Sequence, residues 1–208
     1  MHEIITSDWH IGHKNIASVN TTVWNKGFRN FNSLEEHDST IINNFNTMSS
    51  LDAVVYYLGD LTFKGGISVK HILDQLIFKE FHWILGNHDK WANKLYSQGI
   101  TNLSIIGYPN VFLHKYLELR TVNKEDKEMF LCLFHYPIGS WNHLYRGAMH
   151  FHGHSHDSYN PIGKMLDVGV DTAYRLLGDY RPFYLEEAMN ILEKKEIKFV
   201  DHHDENTK

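Results

Sequence analysis

The chain has 208 residues, 42% hydrophobic and 22% charged, a size and balance that suit one globular domain with a sizeable core. A formal net charge of -5 argues against a general nucleic-acid-binding surface. No apolar stretch approaches the roughly 20 residues of a bilayer span, and no signal peptide precedes the first strand-like run, so a cytoplasmic, non-membrane protein is expected.

Short apolar runs at residues 3–6, 53–58, 81–85, 129–134 and 148–151 read as buried strands, with shorter candidates at 103–106, 111–113 and 165–168. Ser33 followed by Glu36 is a capping-box pattern, and Leu34, Ile41, Ile42, Phe45 and Met48 behind it recur at helical spacing. Val69, Ile72, Leu73 and Leu76 predict a second helix, and residues 185–192 a third. Strands and helices alternate early, and strands dominate the middle. The mixture predicts a single α/β sandwich domain over residues 1–200, with a polar, frayed tail at 201–208 that takes His202 and His203 with it.

Sixteen histidines against one cysteine is the outlying feature. Cys132 sits in the apolar run at 130–134 and reads as a buried small hydrophobe. Such a set favours oxygen and imidazole metal ligands over thiolates.

The histidines and acids are placed to use. Five strand-like runs each end in residues able to bind a metal: Asp8 and His10, Gly59-Asp60, Gly86-Asn87-His88-Asp89, His135, and Gly153-His154-Ser155-His156. Ligands in open α/β sheets gather at the carboxyl ends of strands, so these five ends converge if their strands are neighbours. The glycines before Asp60 and Asn87 allow the backbone to turn sharply there. Competing schemes find no support: no P-loop, no Gly-x-Ser-x-Gly, no His-Glu-x-x-His and no Cys-x-x-Cys occur.

In this order the five motifs resemble the calcineurin-like metallophosphoesterases, over roughly residues 4–171. The small bacterial and phage members are the most similar, through Ser7-Asp8-Trp9-His10-Ile11-Gly12-His13-Lys14-Asn15 at the start, and Asp167-Val168-Gly169-Val170-Asp171 followed by Tyr180-Arg181-Pro182 at the end. The resemblance implies two mixed β-sheets flanked by helices and two metal ions, Mn foremost, with Fe, Zn, Ni or Mg as alternatives. It implies Asp8, His10 and His156 at one metal, Asn87, His135 and His154 at the other, and Asp60 together with a water or hydroxide between them. It places His88 just beyond the metals as general acid, with Asp89 orienting its ring. Two cations about 3.5–4 Å apart would clamp the phosphate and generate the hydroxide that attacks phosphorus. The branch that dephosphorylates proteins carries Asp-Arg-Gly a few residues after Gly-Asp. Here the run is Gly59-Asp60-Leu61-Thr62-Phe63-Lys64-Gly65, which speaks against a phosphoprotein substrate.

The expected function is therefore hydrolysis of phosphate mono- or diesters. A nucleotide pyrophosphatase or nuclease on the same residues is the enzymatic alternative, and a non-catalytic metal-binding scaffold the other. His13, Asn15 and Arg146 are candidate substrate contacts, the last for a bidentate grip on phosphate. Trp141 and Tyr145 are either a base-stacking face or packing residues. His150 and His152 share one strand face and read as core or support rather than ligands.

Overall fold

The run Ala53–Tyr57 is buried at every position and consists almost wholly of β-branched and aromatic residues, as a strand covered on both faces requires. The computed structural model describes residues 2–17, 29–63, 66–123 and 125–197. In it this run is β2. It pairs in parallel with β1 (His2–Thr6) and β3 (Glu80–Ile84), and β4 (Val111–His114) continues the sheet beyond β3. A second sheet holds β5 (Tyr116–Val122), β6 (Glu128–Phe134), β7 (Met149–His152) and β8 (Met165–Asp167) in that order. There β5 is antiparallel to β6, and the other pairs are parallel. The two-residue β9 (Phe183–Tyr184) closes the β1 edge of the first sheet antiparallel.

Among the described residues, five α-helices flank the sheets: α1 (Leu34–Met48), α2 (Gly66–Leu73), α3 (Lys90–Ser97), α4 (Val170–Leu177) and α5 (Leu185–Glu193). The pleat divides the core. Ile4, Val55, Phe81 and Trp83 face Ile41, Phe45, Val69 and Ile72 of the helices. Ile5, Val54, Leu58 and Ile84 face Leu131, Leu133, Met149 and Phe151 of the second sheet. The chain is thus an α/β sandwich of two mixed sheets flanked by helices. Among the described residues, no helix is long and apolar enough to cross a membrane.

Several local expectations are met and others corrected. Ser33 caps α1 by accepting from Glu36 N at 3.0 Å. The Glu36 carboxylate reaches past the cap to Asn32 N at 2.8 Å, one residue earlier than a capping box predicts. Residues 103–106, expected as a strand, form a 3-10 helix. Asn102 caps it by accepting from Ser104 N, and Gly107, with φ of 94°, closes it after one turn. The expected tail at 201–208, with His202 and His203, lies outside the described residues.

His82 and His114 project from β3 and β4 away from the helices, with His82 Nδ1 3.2 Å from His114 Nε2. His82 also stacks between Tyr56 and Phe112. Burial pushes His82 down despite the nearby Glu80, and pushes His114 down to about 4, with His82 adding to the effect. The folded chain therefore holds both rings neutral where the unfolded chain would bind protons. The contribution of this pair to stability is expected to be full above pH 6.5 and to fall as pH drops from 6.5 towards 4. Urea midpoints at pH 7.5 and pH 5 check this: His114→Gln should lose less between the two than the parent, and an equal loss contradicts it.

Candidate metal centre

Strands β1, β2 and β3 are parallel neighbours in one sheet, and β6 and β7 in the other, so their carboxyl ends meet at one end of the sandwich. The segments after β1 and β2 stay zipped: Asp8 N donates to Gly59 O, His10 N to Asp60 O and Ile11 N to Leu61 O, at 2.9–3.0 Å. In the second sheet Gly153 N donates to His135 O at 2.9 Å. The Asp8 carboxylate then joins the two sheets by accepting from His154 N, at 2.9 Å through Oδ2. Gly59 turns with φ of 94°, and a Cβ on Gly86 would overlap the Asp60 carboxylate, so both glycines are required where the sequence placed them.

Two groups able to hold a metal ion result: Asp8, His10 and His156, and Asp60, His135 and His154. In the first, His10 Nε2 lies 3.1 Å from His156 Nε2 and 3.8 Å from Asp8 Oδ1. In the second, His135 Nε2 lies 3.5 Å from Asp60 Oδ2 and 3.2 Å from Asn87 Oδ1. Asp60 Oδ2 is also 3.7 Å from His10 Nε2, so one carboxylate oxygen faces both groups. All seven residues expected as ligands are brought together. Five of them have left-handed backbone: Asp8, His10, Asp60, His154 and His156, with φ from 47° to 66°. That conformation is costly for residues with side chains, and its concentration here marks a place where the fold accepts strain to aim ligands.

The chemistry of the donors fits cations. His135 Nδ1 must donate to Leu58 O at 2.7 Å, and His156 Nδ1 faces Asp171 Oδ2 at 2.7 Å. A neutral ring in either place turns a bare Nε2 lone pair towards other acceptors. Around them five aspartates are buried (Asp8, Asp60, Asp89, Asp167 and Asp171), while Arg29 is the one buried lysine or arginine among the described residues. Burial alone would lower His135, but its Asp60 hydrogen bond and the Asp8 charge outweigh this and push it up to about 9. His156 is raised against its burial by Asp171 and Asp8. The site calls for positive charge at both groups, and hard oxygen and imidazole donors suit divalent first-row metals or magnesium.

Two supports lie behind the ligands. The Arg29 guanidinium, fully buried, donates bidentately to Asp171 at 2.8 Å and to the Asp8 and Trp9 carbonyls. Asp171, held well below the ordinary carboxylate range against its burial by Arg29, in turn orients His156. Asp89 departs from expectation. Its carboxylate does not touch the His88 ring; it accepts from Asp60 N, Leu61 N, Gly86 N and Trp83 Nε1 at 2.8–3.0 Å. Three backbone N–H groups freed by the turns after β2 and β3, and the buried Trp83 indole, would otherwise be orphaned, and they draw the side chain inward. Burial pushes this carboxyl up to about 6, with the Asp60 charge adding to it. Asp89 thus braces the Asp60 and Asn87 loops.

The remaining candidates are scattered. His88 is half-buried, its ring 5.3 Å from that of His10, and its N–H donates to Asp60 Oδ1 at 2.8 Å. His13 lies 5.6 Å from the His10 ring, and its imidazole is pushed down to about 4 by burial. Asn15 is exposed and makes no side-chain hydrogen bond among the described residues. Arg146 is exposed with its guanidinium on the Tyr145 ring, and it shares no hydrogen bond with the ligands. Trp141 is a packing residue, its indole donating to Ala148 O. His150 and His152 are buried, as expected, on the outer face of the second sheet. Tyr136 went unnoticed in the sequence; its ring abuts His135 and His154, and its hydroxyl is 3.5 Å from Asn87 Oδ1.

Replacing Arg29 with methionine removes the one cationic partner of the buried Asp171 and leaves it the His156 ring alone. The expected cost is about 3–5 kcal/mol in urea unfolding; a change near zero would show that the guanidinium does not hold this network.

No family model matches the chain. It is similar to the uncharacterized protein MJ1445 of Methanocaldococcus jannaschii, 27% identical over 201 residues that span 93% of this chain and 92% of that one. It is also similar to the crystal structure of AQ665, a protein of unknown function from Aquifex aeolicus, with a TM-score of 0.56 and 20% identity over 91% of this chain and 98% of that one, a likeness of fold alone.

Proposed function

We propose that the chain is a calcineurin-like metallophosphoesterase that hydrolyses phosphate mono- or diesters with two metal ions, manganese foremost. The observation that carries this reading is the Asp60 carboxylate, with one oxygen 3.7 Å from His10 Nε2 and 3.5 Å from His135 Nε2, between two three-residue ligand groups. Asp8, His10 and His156 would hold one ion; Asn87, His135 and His154 the other; Asp60 both. Bound there, the two ions would offset charge on the phosphate and acidify a water for attack on phosphorus.

The chain's own residues supply the rest. His88 stands outside both groups, and its ring gives a proton to the departing ester oxygen. Its backbone N–H donates to Asp60 Oδ1, so the carboxylate that would face both ions also anchors the His88 main chain. With Asp89 turned inward, the His88 ring is steered by packing against His10 and Phe63. His156 is held for its ion by Asp171, and His135 by Leu58 O.

Hydrolysis of p-nitrophenyl phosphate and bis-p-nitrophenyl phosphate, followed by absorbance, tests the proposal. Activity should disappear on chelation, return with Mn and vanish in Asp60→Asn; His88→Ala should lower it only modestly on these esters and about 10²–10⁴-fold on an alkyl ester such as glycerol phosphate, whose leaving alkoxide needs the proton. Undiminished activity after chelation contradicts it, and tight metal binding with no turnover of any ester favours a non-catalytic metal-binding role instead.

A further inference from the structure

Phe63 is a large apolar side chain left 38% exposed beside a cluster of charged and imidazole groups. A lone exposed phenylalanine on a surface needs no explanation. This one is fixed in place. Its N–H donates to Ile11 O at 3.1 Å, in the segment that follows β1 into the site. One face of its ring lies on the His13 imidazole, centroids 3.7 Å apart and planes within 2°. His13 in turn lies against the His10 ring. The Phe63 ring is also 5.5 Å from the His88 ring.

We propose that Phe63, braced by His13, is a stacking platform that makes the site selective for phosphate esters carrying a flat aromatic or heteroaromatic group on the leaving oxygen. The inference rests on the phosphoesterase reading, because it takes His88 as the side from which the ester oxygen departs. A group leaving past His88 passes Phe63, the neighbouring ring. A flat ring covers the exposed phenyl and stacks on it. A short alkyl or polyol group offers no such face, so it gains little from the contact. His13, expected to touch substrate directly, uses its ring face on Phe63 and acts as a positioning residue.

Two paired measurements test this on the Mn-loaded protein. Titration calorimetry with phenylphosphonate and methylphosphonate, neither of which is hydrolysed, should give binding about tenfold or more tighter for the phenyl compound. Phe63→Ala should remove that preference, and Phe63→Leu, which keeps apolar bulk without a flat face, should remove most of it. In turnover, Phe63→Ala should lower kcat/KM for phenyl phosphate about tenfold and for glycerol phosphate less than twofold. Each ester is compared with itself, so the difference in leaving-group basicity cancels. Equal binding of the two phosphonates by the parent, a preference that survives Phe63→Ala, or equal loss on both esters overturns the platform. If the parent hydrolyses both esters, those results leave the phosphoesterase reading standing. If the parent hydrolyses neither of these monoesters nor bis-p-nitrophenyl phosphate, that reading falls and the platform falls with it.

Discussion

Everything at the carboxyl end of this sandwich answers to one constraint: five aspartates are buried close to a cluster of imidazoles, and one arginine is buried with them. Carboxylates removed from water need compensation from charge and from hydrogen-bond donors. Asp171 takes the guanidinium and the His156 ring. Asp89 takes four N–H donors. Asp8 and Asp60 take fewer donors and keep oxygens directed at histidine nitrogens. The proposed metal ions belong where the protein's own donors stop.

The supports explain how short loops hold such a geometry. The chain leaves β1, β2 and β7 in left-handed turns at residues that carry side chains, a conformation that is unfavourable in isolation. Arg29 gathers the Asp8 and Trp9 carbonyls from the first loop, and Asp89 gathers the backbone of the second and third. Asp8 reaches across to His154 N and pins the second sheet to the first. The aim of the candidate ligands is thus set by buried charged groups outside the two clusters, and rigid support of this kind keeps a site within reach of its working geometry.

Much of this was legible in the sequence, for a physical reason. A ligand that follows a buried strand sits at a predictable place, so Asp8, Asp60, Asn87, His135 and His154 could be read from the apolar runs preceding them. The α/β sandwich followed from the same runs, and its two mixed sheets from the family resemblance. What escaped notice is what depends on contacts far along the chain. Arg29 meets Asp171 across 142 residues, and nothing around Arg29 announces a partner. Asp89 was expected to orient the His88 ring; that its carboxylate instead takes N–H donors at Asp60, Leu61 and Gly86 depends on turns that bring the ends of two strands together. β5 was missed because its burial alternates between intermediate and exposed at the edge of the second sheet, α3 because Ala92 is its one fully buried residue, and α4 because its buried residues include the polar Asp171 and Thr172.

The central claim is that Asp60 lies between two metal ions. Anomalous diffraction from crystals soaked in manganese addresses it most directly. Two peaks are expected, one against Asp8, His10 and His156 and one against Asn87, His135 and His154, with the Asp60 carboxylate touching both. A single peak that avoids Asp60, or none at either group, would contradict the account.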